Sequence, residues 1–336
     1  MPVLNFNKLF PGFKLRLILI LCFEFSYSLY AQHFLYHPEL KIDTNYTISG
    51  TYQKLIKNYP FISIATYNPV NKITINKDFE YCQYGTRKMH LDIYIPVKQT
   101  QKSKACVILI HGGGWNSGDK DMCQPFALAL ADNDFIAIPV EYRFSDEAKY
   151  PASVFDLKSA LVWIYQNSLK FGIDTTKISI MGFSAGGQLA SLVGLTSQKE
   201  IFINENYPAE IKPKINAVIN MDGILAFLNP LSEEGRNTKG QGAAEKWFGV
   251  HFSTDSSKWM EASPLLYADE KSPPFLFVAS SFPRFNAGRD EMIRIFEKSG
   301  IYYEKYILEG APHSFWFFNP WFQTCLNYSI NFLLKN

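Results

Sequence analysis

Near-continuous apolar runs recur along the chain from its first third to its last. They cover residues 106–110, 135–140, 178–181, 217–221 and 275–279. Runs of this length with few polar residues are typical of strands that are covered on both faces, as in a parallel sheet. We therefore expect these segments to be neighbouring strands at the centre of one sheet.

The segments around those runs show alternating or helical spacing of apolar residues. Residues 79–84 and 89–95 carry apolar or aromatic side chains at alternate positions on either side of Gly85, which predicts an antiparallel pair of strands. Residues 155–165 and 290–298 place apolar side chains at helical spacing. Strands and helices in this repeated order predict the α/β class, with a mostly parallel central sheet and helices on both faces.

Two segments interrupt the alternation of strands and helices. Residues 197–214 are polar and predict a surface loop, whereas residues 224–266 mix glycine, serine and charged residues with large aromatic side chains. The aromatic residues of this second segment are Phe227, Trp247, Phe248 and Trp259. An inserted cap that forms a lid or a substrate wall and an ordinary packed excursion both fit this composition.

The beginning of the chain has the order of charge and hydrophobicity that secretory signals share. Lys8, Lys14 and Arg16 precede the apolar run 17–23, and small residues follow. This run is shorter than the roughly 18 residues that a membrane span needs. We expect a signal peptide at residues 1–31, export to the periplasm or the exterior, and no stable membrane span after cleavage.

Composition bounds the rest of the chain. Of its 336 residues, 47% are hydrophobic, 16% are aromatic and only 19% are charged, so disorder is excluded for most of the length. We expect residues 32–78 to be an extension that packs on the core, and residues 79–336 to be one α/β domain that includes the insertion at 224–266.

Charge and cysteine usage exclude two further classes. The formal net charge is only +2, without the clustered basic excess of nucleic-acid binders, so no nucleic-acid partner is expected. Cys82, Cys106, Cys123 and Cys325 show no close-pair spacing, so no metal site is expected either.

Candidate chemistry begins at the sequence Gly182-Phe-Ser184-Ala-Gly186. This G-x-S-x-G follows the predicted strand 178–181 and precedes a helix of small residues, where a serine is exposed on a tight turn. Side chains in place of the two glycines would collide with the neighbouring strand and helix. The helix N-terminus also favours a developing negative charge. Ser184 is therefore a candidate nucleophile.

A second glycine motif, His111-Gly-Gly-Gly-Trp115, follows the predicted strand 106–110. Consecutive glycines let backbone N–H groups approach a substrate and point at one place, as an oxyanion hole requires. A phosphate-binding loop would end in Gly-Lys-Ser or Gly-Lys-Thr, and this ending is absent. The motif therefore strengthens the catalytic interpretation of Ser184.

With these two motifs, the sequence resembles the α/β-hydrolase esterases of the hormone-sensitive-lipase and carbohydrate-esterase kind, over about residues 79–334. The resemblance implies a nucleophile, Ser184, a base, His313 in Pro312-His-Ser314, and an oxyanion hole from the N–H groups of Gly113, Gly114 and Ala185. A histidine suits the role of base because its neutral imidazole accepts a proton at physiological pH. In such enzymes His111 is a structural member of its glycine motif.

The acid of the triad departs from the family pattern. Family members usually carry an aspartate in the loop after the strand that corresponds to residues 275–279, and here Asp290 is the only carboxylate before the next helix proper. The resemblance thus implies Asp290 as the acid. Asp290 also fits a helix N-terminal acid paired with an arginine. Glu291, Glu309 or a serine–histidine dyad without an acid remain alternatives.

Substrate-binding candidates lie near the same motifs. Trp115 adjoins the predicted oxyanion glycines, and Trp316 belongs to an aromatic cluster just after His313. Aromatic faces suit sugar rings, although core packing explains such residues equally well. Arg284 and Arg289 precede Asp290 and have the geometry to bind a uronate carboxylate or to pair with local acids.

The segments around Arg284 and His313 resemble exported bacterial pectin-type esterases. We therefore expect a serine esterase without a cofactor that hydrolyses acetyl or related esters of plant-type polysaccharides, such as pectin or xylan, by a Ser-His-Asp acyl-enzyme mechanism. One alternative is a serine peptidase of the prolyl-oligopeptidase type, although those enzymes usually carry a propeller domain. The other is a non-catalytic polysaccharide-binding protein.

Overall fold

The computed structural model describes residues 46–97, 103–203, 211–232 and 241–336. The predicted signal peptide at 1–31 and the first part of the predicted extension lie outside the described residues. Across the described ranges, no helix combines the length and hydropathy that crossing a bilayer requires.

A mixed sheet of eight strands forms the centre of the molecule, in the order β2-β3-β5-β4-β6-β7-β8-β9. The strands are β1 Ser63–Ile64, β2 Ile73–Tyr84, β3 Arg87–Pro96, β4 Lys104–Ile110, β5 Ile136–Val140, β6 Ile173–Phe183, β7 Ala217–Met221, β8 Phe275–Ser280, β9 Tyr303–Leu308 and β10 Phe318–Asn319. β3 pairs antiparallel with both β2 and β5, and every pairing from β5 to β9 is parallel. The predicted hairpin and the predicted parallel strands are thus confirmed.

Helices cover both faces of this sheet. The α-helices are α1 Ile48–Leu55, α2 Gln124–Asp132, α3 Ala152–Gln166, α4 Ser168–Phe171, α5 Ala185–Thr196, α6 Ala243–Phe248, α7 Ser257–Glu261, α8 Arg289–Ser299 and α9 Trp321–Lys335. Short 3-10 turns occur at Lys120–Cys123, Pro264–Tyr267, Pro283–Asn286 and Phe315–Phe317.

Alternate residues of the central strands enter two separate cores. On β4, Ile108 joins the core that includes α3, α5 and α8, whereas Val107 and Leu109 join the core that includes α2 and α9. A strand that buries both faces has to be apolar at every position, which is why these strands appear as continuous runs in the sequence. The α/β-hydrolase class predicted from the sequence is confirmed.

The described part of the N-terminal extension packs on the side of the sheet that carries α9. β1 pairs antiparallel with β10, with Ser63 opposite Asn319, and the ring of Tyr59 meets that of Trp321 edge to face at 6.0 Å. Nearer the site, the Tyr46 hydroxyl lies 3.3 Å from the hydroxyl of Ser314. The extension therefore contacts the segment that carries His313.

The inserted segment packs its aromatic residues into the core. The four aromatic side chains singled out in the sequence, Phe227, Trp247, Phe248 and Trp259, are buried. Trp247 stacks on Trp115 with ring centroids 5.0 Å apart. These side chains therefore behave as a packed excursion, and they hold the loop after β4 against the body of the molecule.

Candidate active site

The nucleophile turn joins β6 to α5 at the carboxyl edge of the sheet. Ser184 has a positive φ of 54°, a strained conformation for a residue with a side chain, and its N–H donates to Met221 O over 2.7 Å. A Cβ atom on Gly182 would overlap Gly186 O, and one on Gly186 would overlap Ile110 O. The glycine requirement predicted from the sequence is confirmed, because no larger residue fits between the strand and the helix.

Three side chains form a hydrogen-bonded chain at this edge. Ser184 Oγ lies 2.9 Å from His313 Nε2, and His313 Nδ1 lies 2.9 Å from Asp222 Oδ2. Since a carboxylate can only accept, Nδ1 carries the proton, and Nε2 is left to accept from the serine hydroxyl. The side chain of His313 is 32% exposed, whereas that of Asp222 is fully buried.

Asp222 follows β7, the strand next to the one that ends in Ser184. Its backbone has a positive φ of 51°, and its N–H donates to Val278 O over 3.1 Å. Ser280 at the end of β8 donates twice to the carboxylate, from its N–H to Oδ1 and from its hydroxyl to Oδ2, both over 2.7 Å. These donors and His313 offset the cost of burying the charge.

The prediction that Asp290 is the acid is wrong. Asp290 lies at the start of α8 with a side chain that is 58% exposed, and it contacts Arg289 Nε at 3.4 Å and Lys305 Nζ at 3.9 Å. It is therefore the helix N-terminal acid of the alternative reading. Glu291 accepts from Asn229, so it is not the substitute either.

Asp222 escaped the sequence reasoning although the sequence held a signal for it. It is a carboxylate directly after the predicted strand 217–221, and a glycine follows it. The chain order Ser, Asp, His is also preserved. The family pattern instead favours an acid one strand later, after β8.

The glycine loop after β4 lies against the nucleophile turn. A Cβ atom on Gly112 would lie 2.8 Å from Phe183 O and 3.1 Å from Ser184 Cβ. Gly113 and Gly114 have φ values of 124° and 60°, which favour glycine. Ala185 is the first residue of α5, so its N–H has no carbonyl partner within the helix. The predicted oxyanion donors are thus carried by two segments in close contact.

His111 holds the base of this loop. Its ring stacks on that of Tyr142 with centroids 4.5 Å apart, and Nδ1 lies 2.7 Å from Gly112 O. The Tyr142 hydroxyl donates to His111 O over 3.0 Å. Burial lowers the pKa of His111 to about 4, so the ring is neutral at physiological pH. These contacts agree with the structural role implied by the family resemblance.

Neither tryptophan proposed for substrate binding is available to a substrate, so both predictions are wrong. Trp115 is 3% exposed, and its indole N–H donates to Gln188 Oε1 over 2.9 Å. Trp316 is 1% exposed and meets the imidazole of His313 edge to face at 5.2 Å. Both side chains are packing partners of the site because their apolar surface is used within the core.

The two arginines differ in position. Arg289 is buried, pairs with Asp290, and lines a small recess together with Asp222 and Phe285, and its role in binding a substrate carboxylate stays a prediction. Arg284 is partly exposed, and its guanidinium lies 5.1 Å from the centroid of the Phe285 ring. That ring stacks on His313, so Arg284 stays a candidate at the edge of the site.

Within the described part of the chain, Cys82, Cys106, Cys123 and Cys325 are free thiols. No group of three or more histidine, cysteine, aspartate or glutamate side chains in the same ranges is arranged to hold a metal ion.

The chain is similar in sequence to known hydrolases. A family model described as BD-FAE matches residues 91–282, more than half of the chain. An AB hydrolase superfamily protein of Schizosaccharomyces pombe is 27% identical over 301 residues, which cover 81% of this chain and 86% of that protein. The probable carboxylic ester hydrolase LipM of Mycobacterium tuberculosis is 27% identical over 219 residues, 62% of this chain and 50% of that protein, so the match spans half of its length.

Solved structures share the fold. A truncated carbohydrate esterase from gut microbiota superimposes with a TM-score of 0.65 at 19% identity, covering 80% of this chain and 99% of that one. At this identity the likeness concerns the fold alone.

Proposed function

Because the chain belongs to the BD-FAE family of α/β-hydrolase esterases and is a carboxylic ester hydrolase, we propose that Ser184, His313 and Asp222 hydrolyse the ester through an acyl-enzyme. The observation that carries this proposal is the continuous path of two 2.9 Å contacts from the serine hydroxyl to a buried carboxylate. Burying a carboxylate costs free energy of folding, and such buried charges in contact with an imidazole are concentrated at functional sites.

In the first step, Ser184 Oγ attacks the ester carbonyl while its proton moves to His313 Nε2. The electron pair of the carbonyl double bond moves to its oxygen, which the N–H groups of Gly113, Gly114 and Ala185 stabilise. When the tetrahedral intermediate collapses, the bond between the acyl carbon and the oxygen of the leaving alcohol breaks. The imidazolium of His313 donates its proton to this alcohol oxygen.

In the second step, a water molecule takes the place of the alcohol. His313 removes a proton from the water as it attacks the acyl carbon. The bond from the acyl carbon to Ser184 Oγ then breaks, His313 returns that proton to Ser184 Oγ, and the acid is released. Asp222 accepts from His313 Nδ1 and from Ser280. It thereby fixes the tautomer of the imidazole and stabilises the imidazolium.

The experiment is the Ser184→Ala variant with p-nitrophenyl acetate as the probe. We expect kcat to fall at least about ten-thousandfold while thermal unfolding stays close to that of the wild type. Ser253→Ala is the control, since Ser253 lies on the exposed part of the insertion and contacts His251. Retained turnover in Ser184→Ala, or fluorophosphonate labelling of another serine, would disprove the mechanism.

For the substrate, we propose acetyl or related esters on plant-type polysaccharides such as pectin or xylan. The support is the likeness to a carbohydrate esterase in fold and the cation of Arg284 at the edge of the site. Trp115 and Trp316 no longer support this proposal, because both are buried. Acetate released from acetylated xylan and pectin is the measurement, and hydrolysis confined to simple acyl esters would contradict the proposal.

We also propose that the protein is exported after cleavage of residues 1–31, on the strength of the basic and apolar order of that segment. Expression of the full chain followed by N-terminal sequencing of the protein found outside the cytoplasm is the test. Recovery of the uncleaved chain in the cytoplasm would contradict it.

A further inference from the structure

Two aromatic rings contact the imidazole of His313 at right angles to each other. The ring of Phe285 lies parallel to it, with centroids 4.0 Å apart and an interplanar angle of 11°. The ring of Trp316 meets it edge to face at 5.2 Å and 88°. The imidazole thus has one aromatic face directly against its own face, while its two nitrogens contact Ser184 and Asp222.

Phe285 lies in the loop after β8, and this loop is hydrogen-bonded to the loop that follows Asp222. It lies in the 3-10 turn Pro283–Asn286 after β8, and its N–H donates to Phe282 O over 3.1 Å. Two residues later, Ala287 accepts at its carbonyl oxygen from the N–H of Leu225 over 2.9 Å, which ties the turn to the loop after Asp222. The position of the ring is therefore coupled to the backbone that carries the acid.

The face of an aromatic ring is negative, and it attracts a cation that lies within about 6 Å of its centroid. His313 is neutral before the serine attacks and becomes a cation while the tetrahedral intermediate exists. A parallel ring at 4.0 Å therefore interacts more favourably with the charged form than with the neutral form. Only an interaction that strengthens in this way accelerates the reaction.

The other charged groups near the imidazole have opposite effects on the stability of its charged form. The carboxylate of Asp222 favours the imidazolium from Nδ1. Arg284 lies over the same Phe285 ring, and Arg289 shares a recess with Asp222 and Phe285, so both cations disfavour a further positive charge. An aliphatic side chain in place of Phe285 would exclude water equally well without attracting the cation.

We propose that Phe285 is a positioning residue that stabilises the imidazolium of His313 through the face of its ring. The proposal depends on the hydrolytic function proposed above. It differs from a packing role in one respect: the ring acts on the charged imidazole, so it affects how the rate depends on pH.

The experiment compares Phe285→Leu, Phe285→Tyr and the wild type by their pH profiles of kcat/KM with p-nitrophenyl acetate. We expect Phe285→Leu to lower the plateau about three- to tenfold and to move the midpoint of the acidic limb to lower pH by about half a unit to one unit. The direction follows because an imidazole that has lost the ring is harder to protonate. Phe285→Tyr keeps the aromatic face and is expected to retain the wild-type midpoint.

Phe282→Leu is the matched control, because it makes the same substitution three residues away at an exposed side chain. A Phe285→Leu profile with an unmoved midpoint, or an equal displacement in Phe285→Tyr, would overturn the proposal. If Phe285→Leu fails to fold, Phe285→Met serves as the second aliphatic variant under the same criteria. Loss of this proposal leaves Ser184→Ala inactive, whereas an active Ser184→Ala removes the proposed function itself.

Discussion

The turn that carries Ser184 and the loops that carry Asp222 and Phe285 meet the same imidazole, but different forces hold them. The turn is held by backbone contacts so close that Gly182 and Gly186 admit no Cβ atom. The acid is held by side-chain and backbone donors from Ser280 on the neighbouring strand. One region is therefore determined by steric exclusion, and the other by hydrogen bonds across the sheet.

Because of this difference, the residues of the two regions can vary in sequence to different extents. A nucleophile turn with one arrangement of glycines leaves a fixed pattern in the sequence, because larger residues overlap with the backbone. A carboxylate, in contrast, can reach the imidazole from more than one strand, provided that donors surround it. Here the carboxylate of Asp222, directly after β7, accepts from Ser280 at the end of the neighbouring strand β8.

Among the variants that test this comparison, the largest effect is expected from exchanging the acid. We expect Asp222→Asn to lower kcat about a thousand- to ten-thousandfold, because an amide no longer fixes the proton on His313 Nδ1. Asp290→Asn is the matched control and is expected to stay within about twofold of the wild type, since its exposed ion pairs contribute little. Steady-state kinetics with p-nitrophenyl acetate check both. A larger loss in Asp290→Asn than in Asp222→Asn would reverse the assignment.

The next largest effect is expected from filling the space at Gly182, in the turn that carries Ser184. Gly182→Ala should lower the free energy of unfolding by more than about 3 kcal/mol, or prevent folding, because the new Cβ overlaps the backbone at Gly186 and Gly187. Gly85→Ala is the control: its φ is 59° but nothing lies within 4 Å, so about 1 kcal/mol is expected. Urea denaturation measures both, and equal losses would contradict a steric requirement for glycine at position 182.

The smallest expected effect is the pH dependence that His111, at the base of the glycine loop, gives to the free energy of unfolding. Burial lowers the pKa of His111 from 6.5 to about 4, so the unfolded chain binds a proton there before the folded protein does. The stability that His111 contributes is therefore complete above pH 6.5 and is lost as the pH falls towards 4, by up to about 3 kcal/mol. His111→Phe, which retains a ring against Tyr142, should lack this part of the slope. Urea denaturation of both proteins across this pH range is the measurement, and parallel slopes would contradict the prediction.

Local backbone constraints explain why so much of the fold and site was predictable. Each central strand buries both faces, so the continuous apolar runs at 106–110 and 217–221 predicted β4 and β7 directly. The serine turn and the glycine loop need residues without side chains at fixed places, and their motifs predicted Ser184 and its surroundings. His313 followed from the family resemblance, on the Pro-His-Ser segment after a predicted strand.

The remaining features depended on distances between segments that are far apart in the sequence. Asp222 and Asp290 both follow the serine and precede the histidine, and only the neighbouring positions of β7 and β8 select the first. Trp115 and Trp316 are residues of the type that lines sugar-binding surfaces, yet Trp115 stacks on Trp247 and both side chains are buried in the core. The sequence by itself thus determined the strands, the turn and its nucleophile, because these depend on local sterics. Only the tertiary structure decided the acid, the buried aromatics and the ring over His313, because hydrogen bonds and packing across the sheet have no fixed spacing along the chain.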